Sequence, residues 1–137
     1  MNISDIMTRG VQTIKPDQSI HEAAALMARV DCGALFVNDN DHLAGVVTDR
    51  DITVRAVAEG LPGDTKVSEI MSQGVRYCFE DEEVQHVAKN MADLQVRRLP
   101  VMNRDKRLVG VVSLGNIASI DSNRASATVL HGVAKAH

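Results

Sequence analysis

Apolar positions along the chain fall into two alternating kinds of stretch. One kind recurs at helical spacing. Ile20, Ala23, Ala24, Met27 and Val30 stand at i, i+3, i+4, i+7 and i+10, which predicts an amphipathic helix. Ser19 before it, with Glu22 three residues on, predicts a capping box at its start, and Asp31-Cys32-Gly33 marks its end. The other kind is short and continuous. Ala34-Leu35-Phe36-Val37 and the run from Leu43 to Val47 predict buried strands, and the polar turn Asn38-Asp39-Asn40-Asp41 between them makes a hairpin. Upstream, Thr13-Ile14-Lys15 is extended and closed by Pro16-Asp17. From Thr48 a second helix is predicted to about Glu59, stopped by Gly60 and Pro62.

The same order then recurs. Ser68-Glu69-Ile70-Met71 matches Ser4-Asp5-Ile6-Met7 at an offset of 64 residues, Gly74-Val75 matches Gly10-Val11, and Asp81 matches Asp17. Val84, Val87, Ala88, Met91 and Leu94 repeat the first helical stripe position for position. Leu99-Pro100-Val101 matches Leu35-Phe36-Val37. The second hairpin turn is one residue longer, so Gly110-Val111-Val112-Ser113 matches Gly45-Val46-Val47-Thr48. A repeat that holds several elements in register signals duplication of a supersecondary unit. The boundaries are residues 1–62 for the first copy and 63–123 for the second, with a tail at 124–137 that reads as a short helix or a frayed end. One copy buries too little surface to be comfortably stable alone. Two copies packed through their sheets about a pseudo-two-fold axis would share one core.

Composition narrows the function. With 137 residues and 45% hydrophobic content the chain has enough apolar surface for a core. A formal net charge of -3 argues against a general nucleic-acid binder, and two Phe with one Tyr are too few for a single-strand stacking platform. No apolar run is long enough to span a membrane, and no signal-peptide pattern opens the chain, so a cytoplasmic protein is expected without membrane insertion. Cys32 and Cys78 lie in apolar settings without C-x-x-C spacing and are expected as structural thiols. The five histidines lack metal-ligand spacing, and His21 and His86 fall on solvent faces of their helices. Met7 and Met71 are expected in packing roles.

Candidate chemistry concentrates at Thr48 and Asp51. The T-x-x-D spacing is first of all a helix cap, in which the hydroxyl accepts a backbone N–H and the acid answers the cap's own N–H. The same geometry aims a hydroxyl, a carboxylate and helix-terminal N–H donors at one small volume, where a sugar phosphate would fit. A carboxylate suits vicinal hydroxyls, because it accepts both in charge-assisted bonds. The second copy offers Ser113 and Asn116 at the same positions. No G-x-S-x-G, H-E-x-x-H, P-loop or dinucleotide G-x-G-x-x-G is present, so neither a catalytic machinery nor a catalytic cofactor is expected.

Two tandem copies of I-M, G-V, a capped helix, a strand and G-V-V-[ST]-x-x-[DN]-I resemble a pair of CBS domains, or Bateman module. The resemblance covers roughly Asn2 to residue 122. Gly45-Val46-Val47-Thr48-Asp49-Arg50-Asp51-Ile52, continued by Arg55-Ala56-Val57-Ala58-Glu59-Gly60, is close to what stand-alone bacterial CBS-pair proteins carry. It implies a mixed α/β (α+β) fold of two β-α-β-β-α units, a homodimer, and a regulatory module. Such a module senses an adenosyl ligand (AMP, ADP, ATP, NAD or S-adenosylmethionine) in the cleft between the repeats, and signals through a separate effector protein. By matching position, Asp51 holds the ribose hydroxyls, Thr48 the phosphate or ribose, and Arg50 lies near the phosphate. Thr13, Ile14, Gly33, Ala34 and Leu35 line the adenine pocket through backbone and apolar groups. The matching second cleft has Tyr77, Cys78, Arg97, Arg98, Leu99, Ser113 and Asn116. Asn116 stands where the family favours aspartate, which weakens ribose recognition there, while Arg97-Arg98 suits a phosphate-rich ligand, a solvated edge or an intersubunit salt bridge. The alternative expectation is a ligand-free dimeric interaction module of the same fold, and a small-molecule enzyme ranks last.

Overall fold

The structure, a computed structural model, describes residues 1–120. The short helix expected at 124–137 lies outside the described residues. The elements alternate as anticipated: β1 (Thr13–Ile14), α1 (Ile20–Val30), β2 (Ala34–Asp39), β3 (His42–Thr48) and α2 (Asp49–Asp51), which runs on as a wider π-helical turn over Ile52–Val57. The second copy gives β4 (Cys78–Phe79), α3 (Val84–Leu94), β5 (Arg98–Met102), β6 (Leu108–Ser113) and α4 (Leu114–Ala118). Each sheet has three strands, in the orders β1-β2-β3 and β4-β5-β6, with the first pair parallel and the hairpin antiparallel.

The first hairpin turn is tighter than its polar composition suggested. Strand pairing continues to Asp39 and His42, leaving Asn40 and Asp41 as the two linking residues, at φ 52° and 67°. Two successive left-handed residues make the turn whose twist matches the flanking strands, and Asn and Asp tolerate that conformation. Helix α1 starts on Ser19, whose hydroxyl accepts the N–H of Glu22 at 3.1 Å. The reciprocal half of the expected box is absent, because the Glu22 carboxylate accepts from the Gln18 amide at 3.0 Å instead. The buried stripe also differs from the expected one: it loses Ala24 and Val30 and gains Leu26. Ile20, Ala23, Leu26 and Met27 are buried, whereas Ala24 and Val30 are exposed. In α3 the expected Val84, Val87, Ala88 and Met91 are buried, and Leu94 at its end is more than a third exposed.

The chain divides into two compact units that are composed differently from the sequence repeats. One unit is Gln12–Val75; the other joins Met1–Val11 to residues 76–120. In each, the opening segment of one copy is stitched to the hairpin of the other. Ser72 exchanges two backbone hydrogen bonds with Val46 (2.9 and 3.0 Å), and Thr8 does the same with Val111 (2.9 and 3.0 Å). We refer to residues 67–72 and 3–8 as the crossing segments. Each begins as a single 3-10 turn, Val67–Glu69 or Ile3–Asp5. Each delivers two apolar side chains to the core of its unit: Val67 and Ile70 pack with Ile14, Met27, Val37 and Val47, and Ile3 and Met7 with Val87, Met91, Val101 and Ile117.

Candidate functional site

The first candidate set lies wholly within the unit Gln12–Val75. Strand β3 ends at Thr48 in extended conformation, and the chain turns directly into α2. Thr48 Oγ1 accepts the N–H of Asp51 at 3.0 Å, while Asp51 Oδ2 accepts the N–H of Thr48 at 2.9 Å. The box fixes both side chains, which is why the local sequence alone places them together. The register Ala34↔Thr48 and Leu35↔Val47 brings Gly33, Ala34 and Leu35 beside this cap. Gly33 O accepts the N–H of Asp49 at 2.9 Å, closing the corner. Strand β1 flanks β2 on its other side through Thr13↔Phe36 and Ile14↔Val37. The Ile14 and Leu35 side chains belong to the core, so at the sheet surface these two positions offer backbone, whereas Thr13 and Ala34 are half-buried and Gly33 and Arg50 exposed.

The helix-terminal donors are not available as the cap spacing suggested. The N–H of Asp49 goes to Gly33 O, that of Arg50 to Asp49 Oδ1 at 2.8 Å, and that of Asp51 to Thr48 Oγ1. The Asp49 carboxylate, which the sequence reading did not single out, therefore occupies the place of an anion. The Asp51 carboxylate keeps Oδ1 outside the cap. Its side chain is 13% exposed, and Oδ1 pairs with Arg55 Nε at 3.7 Å. Arg55 also reaches Ile70 O at 3.3 Å. This role of Arg55 was missed, although an acid and a base four apart on a helix are a recognisable pair.

The second set lies within the other unit. Ser113 caps α4: its Oγ accepts the N–H of Asn116 at 3.2 Å and donates to Asn116 Oδ1 at 2.9 Å, and the Ser113 N–H donates to the same oxygen at 2.9 Å. Asn116 Nδ2 donates to Thr8 Oγ1 at 3.2 Å. Leu114 N–H donates to Arg97 O at 3.0 Å, the counterpart of the Asp49–Gly33 bond, and Arg98 pairs with Ser113 across the hairpin. Both arginines are exposed. Tyr77 is 44% exposed and stands edge-on to Phe79, with ring centroids 5.5 Å apart. Arg104 covers Phe79 at 4.0 Å and forms a two-pronged bond to Asp81, which holds the Asp81 carboxyl below the usual carboxylate range. The first copy has Thr13 and Lys15 where the second has Tyr77 and Phe79, so at these two positions only the second copy carries aromatic rings.

Leu99 and Cys78 turn inward, both into the core. The Cys78 thiol approaches Pro100 O at 3.9 Å, and burial, with the Glu82 carboxylate adding to it, pushes its pKa from 9.0 up to about 12. Cys78 thus offers backbone, not a thiol, to any ligand. Cys32 is free and half-buried. At pH 8, a soluble disulfide reagent is expected to label Cys32 in the native chain and Cys78 only after unfolding, because the thiolate is the nucleophile. Equal rates for both would contradict the burial of Cys78. Because the thiol is neutral in the fold and ionises near 9 when unfolded, its share of stability is complete below pH 9 and is lost as pH rises toward 12. Cys78→Ala should lack that part of the alkaline decline.

Among the described residues, no three of His, Cys, Asp and Glu converge to hold a metal, and no helix is long and apolar enough to cross a membrane. The sequence model of the CBS domain matches residues 3–57 and again 67–123. The CBS domain-containing protein YhcV of Bacillus subtilis is 39% identical over 126 residues, covering 92% of this chain and 89% of its own. The crystal structure of Hypoxic Response Protein I with two coordinated zinc ions superposes with a TM-score of 0.75 at 35% identity, over 86% of this chain and 97% of that one. The CBS domain pair of protein MJ0100, in complex with 5-methylthioadenosine and S-adenosyl-L-methionine, gives 0.66 at 30% identity, over 86% and 93%. Duplicated β-α-β-β-α copies, a reciprocal cap after each hairpin and these matches along both halves make the chain a member of the CBS domain family, with two CBS domains in tandem.

Proposed function

We propose that this CBS pair is a regulatory module that binds an adenosyl ligand (AMP, ADP, ATP or NAD) and passes the signal to a separate effector protein, without catalysing a reaction. The observation that carries this reading is the Asp51 carboxylate. It is held by its cap with one oxygen committed and the other at 3.7 Å from Arg55, an arrangement suited to a ribose diol. The adenosyl compounds bound by the MJ0100 pair support the ligand class.

The chain has one Tyr and no Trp, so its intrinsic emission reports Tyr77 alone. Titration with AMP, ADP, ATP, NAD and S-adenosylmethionine is expected to raise the melting temperature for at least one of them. Mass action gives about 2.7 kcal/mol at a hundred times Kd. A ligand whose base packs on Tyr77 also changes that emission; one confined to the Asp51 site raises the melting temperature alone. A flat melting temperature with all five compounds overturns the reading.

That outcome favours a ligand-free dimeric interaction module. Its support is the exposed apolar row Val54, Val57 and Leu61, at 45%, 67% and 37% exposure, following α2. We also propose the homodimer on this row. A monomer mass by light scattering at micromolar concentration would remove it.

A further inference from the structure

Each candidate cap is tied to a crossing segment by a different device. Asp51 connects through Arg55, which spans from Asp51 Oδ1 (3.7 Å) to Ile70 O (3.3 Å). In the second copy Ile120 stands at the position of Arg55, and no cation is there to make the link; instead Asn116 Nδ2 donates straight to Thr8 Oγ1 at 3.2 Å. Different chemistry thus makes the same connection in both units. The crossing segments also have a particular destination. Five residues beyond Ser72 the chain reaches Tyr77 of the second set, and five residues beyond Thr8 it reaches Thr13 of the first. The joints between the compact units, Val75 to Arg76 and Val11 to Gln12, fall inside these two stretches. Each cap is therefore attached to the backbone that leads into the strand of the other set.

We propose that the two candidate sites are energetically coupled through the crossing segments, with Arg55 as the positioning residue that links Asp51 to one segment and Thr8 as the residue that links Asn116 to the other. This rests on the reading of Asp51 and Asn116 as ligand contacts. A ribose hydroxyl donating to Asp51 Oδ1 competes with Arg55 for that oxygen. Occupancy then loosens the hold of Arg55 on Ile70 and the adjoining Ser72–Val46 pairing, and the change continues along the chain to Tyr77. Linkage makes the effect reciprocal, so a ligand in the second set alters affinity in the first by the same factor.

The test uses amide hydrogen exchange and amide resonances of the full chain, with Arg55→Gln mimicking the released state. Arg55 is about half-exposed, so the variant is expected to fold. Without ligand, the Val46 and Ser72 amides should exchange roughly two- to fivefold faster than in the unaltered chain, the scale of a half-exposed ion pair. The Thr8 and Val111 amides should be unchanged, and the Tyr77 amide resonance should move. Thr8→Val should show the mirror pattern, with faster exchange at Thr8 and Val111 and a displaced Thr13 resonance. Added AMP should speed Ser72 exchange in the unaltered chain and not in Arg55→Gln. Unchanged Ser72 exchange in Arg55→Gln, or a disturbance that stops at Val75 with Tyr77 unmoved, overturns the proposal. Failure of AMP to bind would instead count against the adenosyl reading, and the ligand-free measurements would still judge the coupling.

Discussion

Asp51→Ala is expected to lower affinity for an adenosine ribose at the first set about ten- to hundredfold, while Asn116→Ala has a smaller effect at the second. The difference follows from which acceptor atoms are already in use. Asp51 Oδ2 accepts the Thr48 N–H, and among the described residues Oδ1 has the 3.7 Å pair with Arg55 and no hydrogen bond, so it keeps acceptor capacity. Asn116 has one side-chain oxygen, which already accepts from the Ser113 N–H and the Ser113 hydroxyl, and its amide nitrogen is donated to Thr8. A neutral amide with its oxygen doubly occupied has little acceptor capacity left. A charge-assisted bond lost from a partly buried site costs about 1.5–3 kcal/mol, which gives the stated factor. Asn116→Asp should strengthen ribose binding at the second set, unless a ligand phosphate sits near enough to repel the new charge. Calorimetry with AMP on the three variants decides the assignment. Unaltered binding in Asp51→Ala together with abolished binding in Asn116→Ala would place the principal site in the second copy.

Gly45→Ala and Gly110→Ala are expected to destabilise the chain by about 1–3 kcal/mol each, the range for overfilling a packed site. A Cβ on Gly45 would lie 2.6 Å from Ser72 O and 3.0 Å from Met71 Sδ; on Gly110 it would lie 2.7 Å from Thr8 O and 2.9 Å from Met7 Sδ. A methionine side chain can move aside. The carbonyls cannot, because they accept the Val46 and Val111 N–H groups that fasten the crossing segments. The Gly of each G-V-V stretch is thus required by the neighbouring backbone and not by its own conformation. Gly63→Ala is the control: its Cβ would meet only His21 Cβ at an ordinary 3.7 Å, and a change within about 0.5 kcal/mol is expected. Urea midpoints of the three variants measure the effect. A Gly45→Ala chain as stable as the control would mean that the crossing segment yields at little energetic expense.

The sequence determined what depends on neighbours within a few residues. Helical and strand spacing located α1, α3 and both hairpins, and the T-x-x-D and S-x-x-N spacings located the two reciprocal caps, because these arise from steric and hydrogen-bonding preferences that act over one or two turns. Duplication showed in the repeated order of elements, and the resemblance of the repeated I-M, G-V and G-V-V-[ST]-x-x-[DN]-I stretches to CBS domains pointed to the family. Tertiary structure decided the rest. Ser4-Asp5-Ile6-Met7 and Ser68-Glu69-Ile70-Met71 are so alike that either would suit either Gly-Val-Val strand, so local pattern cannot say which of them pairs with which. The folded chain resolves that degeneracy by exchange, Thr8 on Val111 and Ser72 on Val46. Periodicity likewise admitted Ala24 to the buried stripe of α1, but the packed core takes Leu26, the larger side chain, and leaves Ala24 exposed. Cap spacing also left the helix-terminal N–H groups open for an anion. Whether they are open depends on Gly33 O and the Asp49 carboxylate, and Gly33 comes from a segment distant in sequence that only the β2–β3 register brings to the cap.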